Sequence, residues 1–177
     1  MYNNNNNIVY IKKECDLDSP NPIGVNFNQD NVLIYGGAGR GKSTFIEKLI
    51  LGNHIIKNVY FMNDCPAEVN NKIFKDVDDS FQILKYYDSV NYCLQRMING
   101  CTINCTLIID SEYPYCREHD TYNLIKEFLT IENKNGNNLI LTAYNKSHYD
   151  SFEFDSYLNC GIDFETGARF IKKEVIA

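Results

Sequence analysis

Tryptophan is absent from this chain of 177 residues, and only three histidines and four prolines are present. No run of apolar residues approaches the roughly 20 that a membrane-spanning helix requires. The opening residues, MYNNNNN, contain neither the basic nor the apolar region of a secretion signal. The sequence therefore predicts a soluble intracellular protein without a membrane partner.

Cysteine occurs seven times, but no two cysteines form a CxxC pair. Cys101 and Cys105 lie close together, yet no histidine or second cysteine pair accompanies them at the spacing of a zinc site. Reduced thiols are typical of intracellular proteins, and an odd number of cysteines does not favour a disulfide framework. We therefore expect free thiols and a cytoplasmic or other reducing intracellular location.

Arginine is also scarce, with four residues against 23 acidic ones, and the formal net charge is −6. This balance argues against a surface covered in positive charge for nucleic acid, although a local basic patch is compatible with it. Hydrophobic residues make up 44% of the chain, which is enough for one domain with a proper core. We predict one domain over residues 8–177, preceded by a disordered asparagine-rich tail over residues 1–7.

The segment from Asn31 to Leu51, NVLIYGGAGRGKSTFIEKLIL, combines an apolar run, a glycine-rich turn and the start of a helix. Its turn fits the phosphate-loop pattern GxxxxGK[ST] without a gap. Glycines let successive backbone N–H groups point into one concavity, and the helix N-terminus adds partial positive charge. In such loops the lysine reaches the outer phosphates and the serine ligates Mg²⁺. The predicted nucleotide site consists of Gly36, Gly37, Ala38, Gly39, Arg40, Gly41, Lys42, Ser43 and Thr44, with Ser43 as a metal ligand.

Strand and helix patterns alternate along the chain. Apolar runs predict strands over residues 8–11, 32–35, 58–62, 83–86, 106–110 and 139–142. Helical periodicity predicts helices from Lys42 to near Gly52, after Pro66, over 90–98 and after Asp120. The tail predicts a hairpin with strands over 157–164 and 168–175. Together these patterns predict a three-layer α/β fold with a mainly parallel central sheet, a C-terminal antiparallel hairpin and the ligand at the carboxyl ends of the strands.

The strand over residues 106–110 ends in Asp110, whose carboxylate can hold Mg²⁺ through water beside the phosphate loop. Hydrolysis needs a further group that orients or deprotonates the attacking water. Glu112 and Asp64 are both candidates for this role, and the sequence does not decide between them. Thr142 and Asn145, at the end of the strand over 139–142, are the candidates for a polar group that senses the terminal phosphate.

The order of these motifs resembles the additional-strand phosphate-loop ATPases, which include RecA-like and FtsK/HerA-like motors. GGAGRGKSTFIEKLI, KNVYFM, LIID and TYNLIKEFLTIENKNGNNLILTAYNKSHY look like the poxvirus-type genome-packaging ATPases of large DNA viruses. The chain departs from that family at Ser111, where a second acid is usual, and at Thr142-Ala143-Tyr144, where a glutamine is usual. This resemblance implies a RecA-like fold, ATP and Mg²⁺ as cofactors, double-stranded DNA as a partner, a homo-oligomeric ring and the virion as an alternative location.

A second resemblance is to RecA/RadA/KaiC-like ATPases. VYFMND is similar to the strand that ends in their catalytic acid, which places that role on Asp64, and GIDFETGARFIKK resembles their closing hairpin. This family implies recombination or repair instead of packaging. Both resemblances imply an ATP hydrolase.

Three functions outside this class are also compatible with a phosphate loop. A GTPase would use Asn145 and Lys146 to read guanine, but His148 stands where its base-binding aspartate belongs. A nucleotide kinase normally uses several arginines to bind two phosphorylated substrates, and this chain has few. A non-hydrolysing subunit, in which bound ATP only stabilises an assembly, is the alternative that is not an enzyme.

Overall fold

The computed structural model describes residues 8–11, 23–52, 55, 57–63, 81–84, 86–111 and 120–174. This part of the chain contains eight strands: β1 (Ile8–Ile11), β2 (Val32–Tyr35), β3 (Asn58–Asn63), β4 (Phe81–Leu84), β5 (Cys105–Asp110), β6 (Asn138–Ala143), β7 (Ser156–Ile162) and β8 (Arg169–Lys173). The helices within the described residues are α1 (Lys42–Leu51), α2 (Tyr87–Ile98) and α3 (Asp120–Thr130), and a short 3₁₀ helix covers Lys146–Tyr149.

All eight strands form one sheet in the order β1-β8-β7-β2-β6-β5-β3-β4. The six strands from β7 to β4 run parallel, whereas β8 pairs antiparallel with both β7 and β1. The predicted parallel sheet with a C-terminal antiparallel hairpin is therefore confirmed. In a parallel sheet the carboxyl ends of the strands meet at one edge, so β2, β5 and β6 bring their ends together.

Helices cover both faces of the sheet, because the central strands are apolar on both sides. On one face α1 packs its buried residues Phe45, Ile46, Leu49 and Ile50 against the sheet. On the other face α2 and α3 do the same, and the aromatic rings of Tyr122, Tyr149 and Phe152 pack together beside them. The chain thus has the predicted three layers.

Buried asparagines connect loops at the edge opposite the phosphate loop. The amide of Asn138 donates to the carbonyl oxygens of Phe27 and Asp30, each at 3.0 Å. Asn137 similarly donates to the carbonyl oxygen of Thr102 at 2.8 Å. Since buried polar groups need partners, these bonds explain why asparagine is tolerated inside this fold.

Element boundaries differ from the prediction in two places. The predicted strand over 83–86 is wrong by two residues, because β4 spans Phe81–Leu84 and Tyr86 is already the cap of α2. Asp88 in the first turn of α2 complements the positive end of the helix and favours that early start. The hairpin strands are also shorter than predicted, since Asp163 accepts backbone N–H bonds from Glu165 and Thr166 in the turn. The helix predicted after Pro66 lies outside the described residues.

Candidate nucleotide site

The phosphate loop connects β2 to α1 at the carboxyl edge of the sheet. The N–H of Gly36 donates to the carbonyl oxygen of Ala143 over 3.1 Å, which attaches the start of the loop to the end of β6. The N–H of Arg40 donates to the carbonyl oxygen of Gly37 over 3.3 Å and closes a turn. Gly41 then takes a φ of 97° immediately before α1. The loop is therefore held at its base while it turns from strand to helix.

Lys42 is the first residue of α1, and it is 8% exposed. Its ammonium group donates to the carbonyl oxygens of Gly36 at 2.5 Å and Gly37 at 3.3 Å. The positive charge is therefore held over the base of the loop. The first turn of α1 contains no acidic residue, so the partial positive charge of the helix end adds to that of Lys42. This combination favours an anion at the loop.

Strands β3, β5 and β6 each place an apolar residue in the core under α1 and a polar residue two positions later. The apolar residues are Phe61, Ile108 and Ile140. Because side chains alternate between the faces of a strand, the polar residues point to the same side as α1. We call them the polar row: Asn63, Asp110 and Thr142.

Asp110 lies at the centre of the polar row. Asn63 is its partner in register on β3, and the Asn63 amide donates to Oδ2 of Asp110 over 3.1 Å. On the other side, the register between β5 and β6 continues so that Thr142 lies beside Asp110. The carboxylate is buried, with 7% exposure. The predicted metal aspartate is thus at the sheet edge, on the same face as the helix that begins with Lys42.

Thr142 lies between the phosphate-loop strand and the Asp110 strand. It is 1% exposed, and within the described part of the chain its hydroxyl has no hydrogen-bond partner. A buried polar group without a partner costs about 1–3 kcal/mol. On its other side Thr142 is in register with Ile34, two residues before Gly36. Among the described residues, its hydroxyl is therefore an unused donor on the strand next to the phosphate-loop strand.

Asn145, the other predicted phosphate sensor, has a different role in the fold. It is exposed, and its side-chain oxygen accepts a hydrogen bond from the N–H of Ser147 at 3.1 Å, which caps the 3₁₀ helix. The next residue, Lys146, donates to Glu174 at 2.6 Å. Of the two sensor candidates, only Thr142 belongs to the polar row.

Ser111 points to the opposite face of the sheet from Asp110. It is buried, and its hydroxyl forms a hydrogen bond with the hydroxyl of Tyr87 at the start of α2. Its environment explains the absence of a carboxylate here, since an acid would be buried beneath α2. Asp64 and Glu112, the two predicted water-orienting carboxylates, lie outside the described residues, and the choice between them stays a prediction.

Three residues near the site were missed by the sequence patterns. Asn63 was overlooked because its role depends on strand register. Glu47 follows Ser43 by four residues and so lies one turn further along the same side of α1, a spacing that was visible in the sequence. Burial raises the pKa of the Glu47 carboxyl group, and the negative charge of Asp110 raises it further. Cys160 lies on β7, and burial raises the pKa of its thiol to about 12 although Lys42 lowers it in part.

These residues fit a magnesium ion that accompanies a nucleotide. Mg²⁺ prefers oxygen ligands and usually binds through one or two carboxylates together with phosphates and water. Asp110 and Ser43 offer oxygen atoms of this kind. Thr142, whose hydroxyl has no partner among the described residues, lies beside Asp110 on the next strand. In the part of the chain that the structure describes, no cluster of three or more histidine, cysteine, aspartate or glutamate residues could hold a metal alone. The phosphates would therefore supply the remaining ligands.

The arrangement of strands defines the class of fold. Strand β6 lies between the phosphate-loop strand β2 and the Asp110 strand β5, while β3 and β4, which come between them in the sequence, pack beyond β5. A phosphate loop, an acid-terminated neighbouring strand and an extra strand between them give the RecA-like fold of the additional-strand P-loop ATPases.

Comparison with solved structures agrees with this fold. The genome packaging NTPase B204 from Sulfolobus turreted icosahedral virus 2, in complex with AMPPCP, is similar over 79% of this chain and 78% of its own, with 20% identity and a TM-score of 0.52. The flagellar accessory protein FlaH from Methanocaldococcus jannaschii is similar over 94% of this chain and 86% of its own, with 12% identity and a TM-score of 0.54. ATPases 2 and 3 of EccC from Thermomonospora curvata match 86% of this chain over 38% of theirs, with 10% identity and a TM-score of 0.52.

No protein-family model matches the sequence, and no curated protein matches it either. Among the described residues, no helix has the length and apolar character to cross a membrane. The four cysteines in this part of the chain, Cys93, Cys101, Cys105 and Cys160, are free thiols.

Proposed function

We propose that this protein is a Mg²⁺-dependent ATPase that couples ATP hydrolysis to work on double-stranded DNA, as a viral genome-packaging motor does. The observation that supports it most directly is the position of Lys42. Its ammonium group lies at the base of a complete phosphate loop. It is on the same side of the sheet as the side chains of the polar row. A cation, a buried carboxylate and a hydroxyl that has no partner among the described residues lie at one edge of the sheet, and this combination suits a nucleoside triphosphate with its metal.

In this proposal each residue has a separate role. The loop from Gly36 to Thr44 binds the phosphates, and Lys42 balances the charge of the two outer ones. Ser43 and Asp110 hold Mg²⁺, which neutralises phosphate charge when it is bound. The hydroxyl of Thr142 donates to an oxygen of the terminal phosphate. Asp64 or Glu112 orients the attacking water.

The DNA-linked part of the proposal has two supports. The sequence resembles genome-packaging ATPases, and the fold is similar to that of B204, which is described as a genome packaging NTPase. Motors of this kind act as rings, so we propose a homo-oligomer located in a reducing intracellular compartment or with the virion. Because the net charge is −6, few DNA phosphates would be neutralised, and the dependence of DNA affinity on salt should be shallow.

The preference for ATP over GTP is supported by the segment after β6. A guanine-reading motif would need Asn145 and Lys146, but Asn145 caps the 3₁₀ helix and Lys146 is paired with Glu174. Neither side chain is therefore available for a base without breaking a contact of the fold.

The first experiment measures phosphate release from ATP and from GTP, each with and without double-stranded DNA, alongside the Lys42→Ala variant. ATP turnover that increases with DNA and is lost in the variant would support the proposal. Binding without turnover in any condition would instead identify a non-hydrolysing assembly subunit. A preference for GTP would overturn the assignment of the base. Recombination would be favoured over packaging if turnover and oligomer growth depended on single-stranded DNA.

A further inference from the structure

We infer that Asn63 is a positioning residue for the metal carboxylate, and that its side-chain amide sets the orientation of Asp110 toward Mg²⁺. The inference rests on the proposed function, because it concerns the metal that would accompany a bound nucleotide. It adds a residue that neither the phosphate-loop pattern nor the acid-terminated strand identifies.

The geometry joins the two side chains directly. Asn63 and Asp110 are the last residues of β3 and β5, and they are partners in the register of two parallel strands. The side-chain nitrogen of Asn63 donates to Oδ2 of Asp110 over 3.1 Å. Because both side chains project from paired positions on the same face, the hydrogen bond restricts rotation of the carboxylate about its last side-chain torsion. One oxygen of Asp110 is thereby assigned to the amide.

Burial increases the dependence of the Asp110 carboxylate on the hydrogen bond from Asn63. Asp110 is 7% exposed, so little water is available to solvate or to reorient the carboxylate. A buried charge depends on nearby donors for its stabilisation. The Asn63 amide is such a donor, and it is supplied by a rigid strand next to the site.

An amide is chemically suited to this role. Its nitrogen donates hydrogen bonds but carries no charge, so it orients Asp110 without neutralising the carboxylate that the metal needs. A lysine here would compete with Mg²⁺, and an aspartate would repel Asp110 in the absence of metal. Glu47 already adds negative charge near Asp110, which makes a further acid at position 63 less favourable.

The test measures how strongly Mg²⁺ tightens the binding of a nucleotide that is not hydrolysed. AMPPCP binding is titrated by calorimetry with and without Mg²⁺ for the wild-type chain, Asn63→Leu and Asn63→Asp. Leucine has the same branching as asparagine but lacks the donor, whereas aspartate keeps the shape and reverses the interaction. Asn58→Leu, the same change at the exposed far end of β3, is the matched control.

The expected result is specific to the metal. Asn63→Leu should reduce the Mg²⁺-dependent gain in AMPPCP affinity by about 10- to 100-fold, the loss expected when a partner that orients a metal ligand is removed. Binding without metal should stay within roughly twofold of the wild type, since the phosphate loop itself is unchanged. Asn58→Leu should leave both affinities unchanged. Electron paramagnetic resonance of Mn²⁺ bound with AMPPCP should show a changed coordination signal only in the Asn63 variants.

Two outcomes would overturn the inference. If Asn63→Leu lowers the free energy of unfolding but Mg²⁺ tightens AMPPCP binding as much as in the wild type, Asn63 is only structural and the proposed site still stands. If the wild-type protein binds AMPPCP with no dependence on Mg²⁺, the inference and the metal part of the proposed function both fail. Asn63→Ala, which adds no apolar bulk, makes the same comparison if Asn63→Leu does not fold.

Discussion

Gly36 lies directly against the backbone carbonyl oxygen of Cys160, at the point where β2 becomes the phosphate loop. A Cβ atom on Gly36 would overlap that oxygen, and the φ of 149° at this residue is one that other residues rarely adopt. On the opposite side the N–H of Gly36 is bonded to Ala143. The base of the loop is thus confined between β6 and β7, and its shape depends on the missing side chain.

Gly36→Ala should therefore lower the stability of the fold and weaken nucleotide binding at the loop. We expect the free energy of unfolding to fall by about 1–3 kcal/mol, because backbone must move to relieve the overlap. Nucleotide binding should weaken at least roughly tenfold, since a loss near 1.4 kcal/mol at the loop is enough. Urea unfolding followed by circular dichroism and nucleotide titration would measure the two effects.

Gly24→Ala is the matched control for that experiment. Gly24 also has a positive φ, of 63°, but an added Cβ would meet no atom within 4 Å. Its substitution should cost only the backbone strain of about 1–2 kcal/mol and leave nucleotide affinity unchanged. Wild-type nucleotide affinity in Gly36→Ala would show that contact with Cys160 does not shape the loop.

Lys42→Ala and Asp110→Asn should affect different steps. Lys42→Ala removes the charge over the loop, and nucleotide binding or turnover should be lost. Asp110→Asn keeps the shape and removes the negative charge, so Mg²⁺-dependent turnover should fall more than nucleotide binding. Titration of nucleotide and steady-state phosphate release, each at several Mg²⁺ concentrations, would separate the two. Hydrolysis at the wild-type rate in both variants would contradict the assigned site.

Much of this fold could be predicted from sequence because its signals are local. The phosphate loop is one continuous pattern, and the strand that ends in Asp110 is a short apolar run with an acid at its end. The start of α2 was less predictable, since Tyr86 and Tyr87 continue an apolar segment that gives no sign of the change from strand to helix. The boundary is set by capping and by the packing of Val90 and Leu94 under the sheet.

The parts of the site that sequence could not predict depend on strand order. Asn63 and Asp110 are 47 residues apart, and only the pairing of β3 with β5 brings them into contact. Thr142 was a candidate from the sequence, but its place beside Asp110 depends on the insertion of β6 between β2 and β5. Local patterns predict that each strand exists, but they do not determine its neighbours or its register.

Glu174 gives the protein a predictable response to acid. Burial raises the pKa of its carboxyl group, but hydrogen bonds from Lys146 and Tyr35 lower it more, so the net shift is downward. A carboxyl group whose pKa is lower in the folded state stabilises the fold above its unfolded pKa, near 4.3, and this contribution is lost as the pH falls through the folded value. Glu174 should therefore support stability at neutral pH and cease to do so in acid.

Glu174→Gln tests this response directly. At pH 7 the variant should be less stable than the wild type, and the difference should shrink as the pH falls below roughly 4.3. Urea unfolding between pH 7 and pH 3.5 would measure the difference at each pH. Because Lys146 also lies 4.4 Å from the centre of the Tyr157 ring, some packing should remain in the variant. A difference in stability that does not vary with pH would contradict the role of the carboxylate.

Thr142→Val should lower activity without lowering stability. Valine has nearly the same shape as threonine but no hydroxyl, so it removes a buried polar group that lacks a partner among the described residues. The free protein should be as stable as the wild type or more stable, by up to about 1 kcal/mol. ATP turnover should fall by roughly 10- to 100-fold, because the hydroxyl would no longer donate to the terminal phosphate.

Thr106→Val provides the opposite case on a neighbouring strand. The hydroxyl of Thr106 is also buried, but it donates to the side-chain oxygen of Asn138 over 2.8 Å. Its loss should destabilise the protein by about 1–3 kcal/mol, because the buried Asn138 oxygen loses its closer donor and keeps only the Lys57 ammonium at 3.5 Å. Turnover per folded molecule should be unchanged. If Thr142→Val instead loses stability like Thr106→Val and keeps its turnover, the Thr142 hydroxyl belongs to the core and has no part in phosphate binding.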